Sequence, residues 1–237
     1  MPPIHIKSSV LKIERSEWSA FVANHPSGNA FQAPEIYDIF KQIKDYTPIV
    51  LGAFDDQEKL AGILLAVIQK EHAGITGRFT ARTIVWGGPL VSASAEEPGK
   101  VAGLLVDALI GQTAKKSVYI EFRNLAESRW YNAFSGSGFQ YLPYINAILP
   151  LEGESMEKIL SGMKYNRRRE IRISVEEGAT YGEAQSSQEV RSLYKILHDL
   201  YRKRVKVPLP PYEMFEAIFK SHAGKIFVVK HGDRVIG

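Results

Sequence analysis

Two stretches of this 237-residue sequence show the same order of predicted elements, and this limits the folds that the chain can adopt. Near the front, a strand at 48–54, an acidic turn and a strand at 60–68 form a predicted β-hairpin. Near the end, a strand at 226–229, a His-Gly-Asp turn and the start of a strand at 235–237 form another. Each hairpin follows two predicted helices. The pattern predicts an internal duplication, with a chance likeness of two hairpins as the alternative.

Strands alternate with helices through the first part of the chain, from a predicted opening strand at 4–13 to a predicted final strand at 144–151, which indicates a mixed α/β (α+β) fold. We predict a first domain at 1–152, a basic connecting helix at 153–178 and the beginning of a second domain at 179–237. The second copy would stop one strand into its sheet and leave Gly237 at an unpaired edge, which natural domains avoid. The expectation is therefore that the chain is a fragment and that the intact protein continues.

The composition excludes several classes of function. Hydrophobic residues make up 45% of the chain and charged residues 24%, as in a soluble globular protein. The absence of cysteine rules out a disulfide framework, a thiolate metal site and a cysteine nucleophile. No long apolar run suggests a signal peptide or a membrane span, so a cytoplasmic protein is predicted. The six histidines lack the spacing of metal-binding motifs, so no metal is expected.

The stretch from Lys164 to Arg172 concentrates the positive charge, with five cations against one anion. Ser155 fits a helix N-cap and Gly178 a helix stop, so one helix is predicted to contain the whole stretch. On that helix Lys164, Arg168 and Arg172 form a stripe of like charge, which costs an isolated helix about 0.2–0.5 kcal/mol per pair. A bound anion would explain the stripe; a solvated basic face is the alternative.

Four stretches resemble Fem-type (FemABX) aminoacyltransferases, whose usual members have two acetyltransferase-like (GNAT) domains. They are Phe31-Gln32-Ala33-Pro34-Glu35, Trp86-Gly87-Gly88-Pro89, the basic segment from Leu160 to Gly178, and Arg204 followed by Pro211 and Phe215. The resemblance covers nearly the whole chain and rests on the order of these short motifs. It implies tandem GNAT-like domains with mixed sheets, the second one truncated.

The resemblance also implies a function, namely transfer of an aminoacyl group from tRNA to an amine of a peptidoglycan-precursor peptide. The implied partners are aminoacyl-tRNA as co-substrate, a phosphate-bearing cell-wall precursor, and the inner face of the membrane through the lipid-linked substrate. No other cofactor is implied. A lysine that binds substrate in some members would fall near Asp38 or Lys41, so that contact is not carried over.

Phosphate capture is the role predicted for the basic segment, because guanidinium groups grip phosphate bidentately. The predicted ligands are Lys164, Arg167, Arg168 and Arg172. The same cations could instead meet tRNA phosphates. Arg204 is predicted either to contact an anion or to pair with Glu213.

In the first domain, Gly88 interrupts a strand, which suggests a bulge or the close approach of a ligand. Trp86, Tyr37 and Tyr144 are candidates to line the same cleft, with an aromatic core as the alternative for each. No catalytic residue is identified. Asp38 and Glu121 are considered as general bases, with a structural role as the alternative.

Two other functions remain open from the sequence. One is an acyl-coenzyme A-dependent N-acyltransferase acting on a sugar or polymer amine, with its cofactor site in a missing segment. Residues 92–99 show no glycine-rich pyrophosphate loop, and the carboxylates of Glu96 and Glu97 would repel a pyrophosphate there. The other is a non-catalytic module that binds anionic ligands or RNA.

Overall fold

The computed structural model describes residues 4–7, 13–70, 77–124, 129–145, 147–221 and 223–237. The chain divides into two compact units. The first is Met1–Tyr141 with Ser221–Gly224, and the second is Leu142–Lys220 with Lys225–Gly237.

The first unit is a mixed α/β structure. Its elements are β1 (His5–Lys7), α1 (Arg15–Asn24), a 3-10 turn (Ala30–Gln32), α2 (Pro34–Gln42), β2 (Tyr46–Phe54), β3 (Leu60–Gln69), α3 (Gly77–Thr80), β4 (Arg82–Trp86), β5 (Leu90–Val91), α4 (Pro98–Thr113), β6 (Tyr119–Arg123) and α5 (Tyr131–Gly136). The predicted hairpin is confirmed as β2–β3, whose strands pair antiparallel. The predicted opening strand at 4–13 lies partly outside the described residues.

These strands form one mixed sheet in the order β1-β2-β3-β4-β6, with β5 paired to β3. All of its pairings are antiparallel except that of β4 with β6. Every residue of β3 is buried, because alternate side chains point to opposite faces and both faces are covered. Leu64, Ala66 and Ile68 share a hydrophobic cluster with side chains of α4 on one face. β3 is therefore the buried central strand of the first unit.

The second unit is smaller and repeats part of this order. Its elements are α6 (Met156–Gly162), α7 (Tyr165–Glu176), β7 (Ala179–Glu183), α8 (Ser187–Leu200), a π-helical turn (Tyr201–Val205), α9 (Tyr212–Lys220), β8 (Phe227–His231) and β9 (Arg234–Val235). The strands β7, β8 and β9 pair antiparallel in that order. The run β7, α8, α9, β8, β9 thus has the element order and strand pairing of β1, α1, α2, β2, β3. The fold therefore contains tandem copies of one plan.

The strand predicted at 144–151 was wrong for the described residues. The segment forms no strand there, and Tyr144 and Ile145 are 89% and 97% exposed. Its apolar side chains suit a strand, but a strand also needs a neighbour that takes its backbone hydrogen bonds. In the part of the chain that the structure describes, no helix is both long enough and apolar enough to cross a membrane.

Candidate substrate-binding surfaces

The interrupted strand predicted in the first unit is present as β4 and β5, separated by Gly87, Gly88 and Pro89. The Gly88–Pro89 peptide bond is cis. β4 pairs with residues 67–69 of β3, whereas β5 pairs with Gly62 and Ile63. Leu65 lies between the two pairings, where neither strand reaches it.

The side chain of Gln32 fills this break in the sheet. Its carboxamide oxygen accepts a hydrogen bond from the Leu65 N–H at 2.8 Å. Its amide nitrogen donates to the Leu65 carbonyl at 3.1 Å and to the Trp86 carbonyl at 2.7 Å. Gln32 is fully buried, so water cannot make these bonds in its place. A side-chain amide therefore supplies the backbone pairing that the interruption removes.

The segment that carries Gln32 is itself held at several points. Asn29 accepts a hydrogen bond from the Phe31 N–H at 3.1 Å and donates to the Gly87 carbonyl at 2.9 Å. The Trp18 indole donates to the Gln32 carbonyl at 2.7 Å. The Phe-Gln-Ala-Pro stretch is one of the four that resemble Fem-type enzymes. The structure shows that its glutamine and the nearby Asn29 join the 3-10 turn to the interrupted strand.

Trp86 packs among side chains of its own unit. Its ring is stacked on Phe31 with centroids 5.7 Å apart and tilted against Phe40 at 5.8 Å. The Arg123 guanidinium lies 5.7 Å from the ring centroid, at the outer limit of a cation–π contact. These neighbours favour the core interpretation of Trp86, and its binding of substrate stays a prediction.

The other first-unit candidates also have structural contacts. Tyr37 is half-buried, with its ring edge against Trp18 at 6.1 Å. Gly88 is buried, and a Cβ built on it would lie 2.7 Å from the Gln32 amide nitrogen. The close approach predicted at Gly88 is therefore made by Gln32, a part of the protein. Tyr144 lies in the exposed segment described above.

Both carboxylates considered as general bases are ion-paired. Asp38 lies 2.8 Å from the Arg15 guanidinium, and Glu121 lies 3.0 Å from Arg123 on the same strand. All four side chains are between 39% and 52% exposed, so the pairs contribute little to stability. The contacts favour the structural alternative for both residues.

In the second unit, the single helix predicted between Ser155 and Gly178 was wrong. Ser155 does cap a helix, because its hydroxyl accepts from the Lys158 N–H at 3.2 Å. That helix, α6, ends at Gly162, and the next two residues have extended backbone. The second helix, α7, then begins at Tyr165, and Gly178 follows it with φ +93°. Gly162 explains the break, since glycine disfavours a helix interior.

The break changes the interpretation of the predicted stripe. Lys164 is the N-cap residue of α7: its carbonyl accepts the Arg168 N–H at 3.2 Å, but its own backbone dihedral angles are not helical. The Arg168 guanidinium turns back to α6, where it donates to the Ser161 carbonyl at 3.1 Å and the Leu160 carbonyl at 3.4 Å. These carbonyls lie in the last turn of α6, where few intrahelical donors remain, although the Leu160 carbonyl also accepts the Met163 N–H at 3.1 Å. Arg168 therefore serves as a side-chain cap of α6.

We expect Arg168→Ala to loosen α6. Loss of the guanidinium should destabilise the helix by about 1 kcal/mol, because charge-assisted bonds to exposed carbonyls contribute at that level. Amide hydrogen exchange of Ile159 and Met163 should then be about fivefold faster, since both donate within α6. Arg169→Ala is the control, as the Arg169 side chain makes no hydrogen bond or ion pair among the described residues. Equal exchange in the two variants would contradict this role.

The other cations of this segment point into solvent. Arg167 pairs with Glu170 at 2.9 Å and Arg172 with Glu176 at 3.7 Å, in each case between side chains at least 63% exposed. Such pairs are worth about 0–1 kcal/mol and open readily for a stronger partner. Within the described ranges, Lys164 and Arg169 form no ion pair. Arg169 was not among the predicted ligands, although it lies in the same run of arginines.

Arg204 lies on a separate element, the π-helical turn after α8. It is exposed, and across the described chain it forms no ion pair with Glu213 or another carboxylate. Phe215, the last residue of the Arg…Pro…Phe pattern, packs against Tyr194 with ring centroids 5.3 Å apart. Burial raises the pKa of the Tyr194 phenol, and the charge of Glu213 raises it further. The structure therefore leaves Arg204 free to meet an anion, whereas Phe215 packs against the core of the second unit.

The loop between β5 and α4 borders a cavity that is rich in carboxylates. Its charged lining residues are Asp55, Asp56, Glu96, Glu97, Lys59 and Lys100. Four acidic groups against two basic ones would repel a pyrophosphate. The repulsion expected from Glu96 and Glu97 is thus reinforced by the β2–β3 turn.

The described residues contain no group of three or more histidine and carboxylate side chains that could hold a metal ion. His72 and His222 lie outside those residues.

The fold is similar to that of FemX, with a TM-score of 0.60 and 15% identity over 94% of this chain. This chain spans 57% of the FemX chain. A ribosomal-protein-alanine N-acetyltransferase from Brucella melitensis biovar Abortus 2308 gives a TM-score of 0.43, with 14% identity over 62% of this chain and 99% of that chain. No protein-family model and no curated protein matches the sequence. The likeness to FemX confirms a Fem-like fold, as the motifs predicted.

Proposed function

We propose that this chain acts as an acyltransferase of the Fem type, moving an aminoacyl group from tRNA to an amine of a peptidoglycan-precursor peptide. The observation that carries the proposal is the exposed basic surface of α7 within a Fem-like fold. The acceptor would be a peptide linked to a nucleotide or lipid through a pyrophosphate. The proposed compartment is the cytoplasm, with membrane contact only through the lipid-linked acceptor.

The structure refines the set of proposed phosphate ligands. Lys164 and Arg169 are the first choices, because neither has an ionic partner among the described residues. Arg167 and Arg172 come next, since each must give up only a weak, exposed ion pair. Arg168 is the least available, because an anion would compete with the carbonyls of α6. Arg204 would be a further anion contact on its own element.

The proposed reaction needs little from the protein besides positioning. The acceptor amine nitrogen attacks the ester carbonyl of the aminoacyl-tRNA and forms an amide bond. The bond from that carbonyl carbon to the ribose oxygen breaks, and the proton lost by the amine ends on the ribose oxygen. An aminoacyl ester is already activated, so orientation and stabilisation of the oxyanion account for most of the required catalysis.

A coenzyme A-dependent reaction in the first unit is disfavoured by the acidic cavity at the β5–α4 loop. Acetyl-coenzyme A is therefore the competing ligand to test. Binding of acetyl-coenzyme A, without binding of tRNA or of a pyrophosphate-linked muropeptide, would overturn the proposed function. Formation of an amide from labelled aminoacyl-tRNA and the muropeptide would support it.

The α7 surface can be tested with the double variant Lys164→Ala with Arg169→Ala. We expect its affinity for the pyrophosphate-linked muropeptide to fall about tenfold, which corresponds to about 1.4 kcal/mol. The matched control is Lys115→Ala with Lys116→Ala, which removes the same charge at an exposed turn of the first unit. Isothermal titration calorimetry at fixed ionic strength measures both. An equal loss in both variants, or none in either, would contradict the assignment.

A further inference from the structure

A second concentration of positive charge lies at the end of α8. Residues 201–206, called the basic turn here, contain four cations: Arg202, Lys203, Arg204 and Lys206. The first five residues form a π-helical turn, and Lys206 closes it with φ +58° and an N–H bond to the Tyr201 carbonyl at 2.7 Å. π-Helical turns are rare and occur frequently at functional sites.

Charge neutralisation within the protein does not explain the basic turn. Asp199 is shared by Arg202 at 3.8 Å and Lys203 at 3.6 Å, both near the limit of an ion pair. In the described part of the chain, Arg204 and Lys206 have no carboxylate partner. Cations do stabilise a helix C-terminus, by about 0.3–1 kcal/mol each within the last turn. That effect explains one or two of them, but not a run of four exposed ones.

The geometry of the basic turn favours a polymer over a small anion. The Arg202 and Lys203 side chains are 67% and 63% exposed, and consecutive side chains of a helical turn fan out around its axis. A pocket for a single phosphate needs groups that converge on one point. Cations spread along an exposed turn instead match the repeated phosphates of a nucleic-acid backbone.

We propose that the basic turn is the surface on which this protein holds the sugar-phosphate backbone of RNA. This inference rests on the proposed function, in which the acyl donor is a tRNA. It assigns the two anionic substrates to different residues, with RNA on Arg202, Lys203 and Lys206 of the basic turn and the pyrophosphate of the acceptor on α7. Contacts of this kind position RNA without reading its sequence.

The test compares RNA binding by the wild-type chain and by the triple variant Arg202→Gln, Lys203→Gln and Lys206→Gln. Arg204 is left unchanged because it belongs to the proposed anion contacts. The probe is an RNA minihelix with the acceptor stem of tRNA, titrated at several salt concentrations. Each lost phosphate contact should reduce the slope of log affinity against log salt by about 0.7–0.9. The triple variant should therefore lose about 2–3 from the slope and bind at least about tenfold more weakly in about 50 mM salt.

A charge-matched control distinguishes RNA binding at the basic turn from a general effect of net charge on RNA affinity. Lys44→Gln, Lys115→Gln and Lys116→Gln remove three exposed cations from the first unit, and this variant should keep the wild-type slope. The double variant Arg202→Gln with Lys203→Gln should lose about 1.4–1.8 from the slope, which keeps the test valid if Lys206→Gln disturbs folding. Muropeptide affinity should stay within twofold of wild type in all of these variants.

The possible outcomes separate the two proposals. If the wild type binds RNA and the triple and control variants keep the same slope, the basic turn is not the RNA surface, although the proposed function stands. If the wild type binds the muropeptide but not RNA at about 50 mM salt, tRNA is not a substrate and both proposals fail. A third measurement compares the binding of the wild type and of the triple variant to vesicles of phosphatidylcholine and phosphatidylglycerol. Loss of vesicle binding in the triple variant, with RNA binding intact, would make the turn a membrane contact.

Discussion

Replacing Gln32 with alanine is expected to lower the free energy of unfolding by about 4 kcal/mol. The variant removes the carboxamide that serves the Leu65 N–H, the Leu65 carbonyl and the Trp86 carbonyl. Each buried backbone group left without a partner costs about 1–3 kcal/mol. Partial entry of water would recover some of the loss, so the expected value lies below the sum of the three. Urea denaturation followed by tryptophan fluorescence measures the change.

Two further variants make this prediction specific. Gln42→Ala is the control, because the Gln42 amide also donates to a backbone carbonyl but at an exposed position on α2. We expect its free energy of unfolding to stay within about 0.5 kcal/mol of the wild-type value. Gln32→Glu keeps the shape of the side chain, but a carboxylate has no N–H for the two carbonyls. It should be about as destabilising as Gln32→Ala at neutral pH. A decrease in the free energy of unfolding below about 1 kcal/mol for Gln32→Ala would show that the backbone groups of β3 and β4 do not depend on this amide.

Gly88→Ala is expected to cost about 2–3 kcal/mol through the same amide. The added Cβ would lie within 2.8 Å of the nitrogen, carbon and oxygen of the Gln32 carboxamide, so that group must move. Gln32 makes three buried hydrogen bonds. Displacing its amide should therefore lower the free energy of unfolding by much of the amount expected for Gln32→Ala. In a Gln32→Ala background the space is free, and Gly88→Ala should cost less than about 1 kcal/mol. The measurement is a double-mutant cycle by urea denaturation.

The control for the glycine variant is Gly103→Ala in α4. A Cβ at Gly103 would meet nothing within 4 Å, so this variant should gain about 0.5–1 kcal/mol from the lower backbone entropy of alanine. Additive costs of Gly88→Ala and Gln32→Ala would contradict the coupling. They would mean that Gly88 is required by the backbone and not by the amide.

Local signals in the sequence predicted most of the fold. The β2–β3 hairpin, the interrupted strand and the caps at Ser155 and Gly178 all follow from turn residues and side-chain periodicity over a few positions. The break between α6 and α7 had a local signal as well, in Gly162, but the continuous apolar and basic pattern across it outweighed one glycine.

Two of the errors concern interactions between residues distant in sequence. Whether 144–151 forms a strand depends on a pairing partner, which periodicity does not reveal. Gln32 lies 33 residues from Leu65 and 54 from Trp86, so no pattern around Gln32 could predict its role. The cap formed by Arg168 was missed because it exists only once the helix is broken.

The hydrogen bonds of the Gln32 amide between β3 and the interrupted strand also have a consequence for protein engineering. In an ordinary sheet, a gap between two paired segments leaves backbone N–H and C=O groups without partners. Such groups can form hydrogen bonds with another chain. Here one buried side chain from outside these strands fills the gap, with hydrogen bonds to Leu65 of β3 and to the Trp86 carbonyl at the end of β4. Protein designers could use the same arrangement, a single buried amide facing a glycine, to close a gap between two paired segments of a sheet.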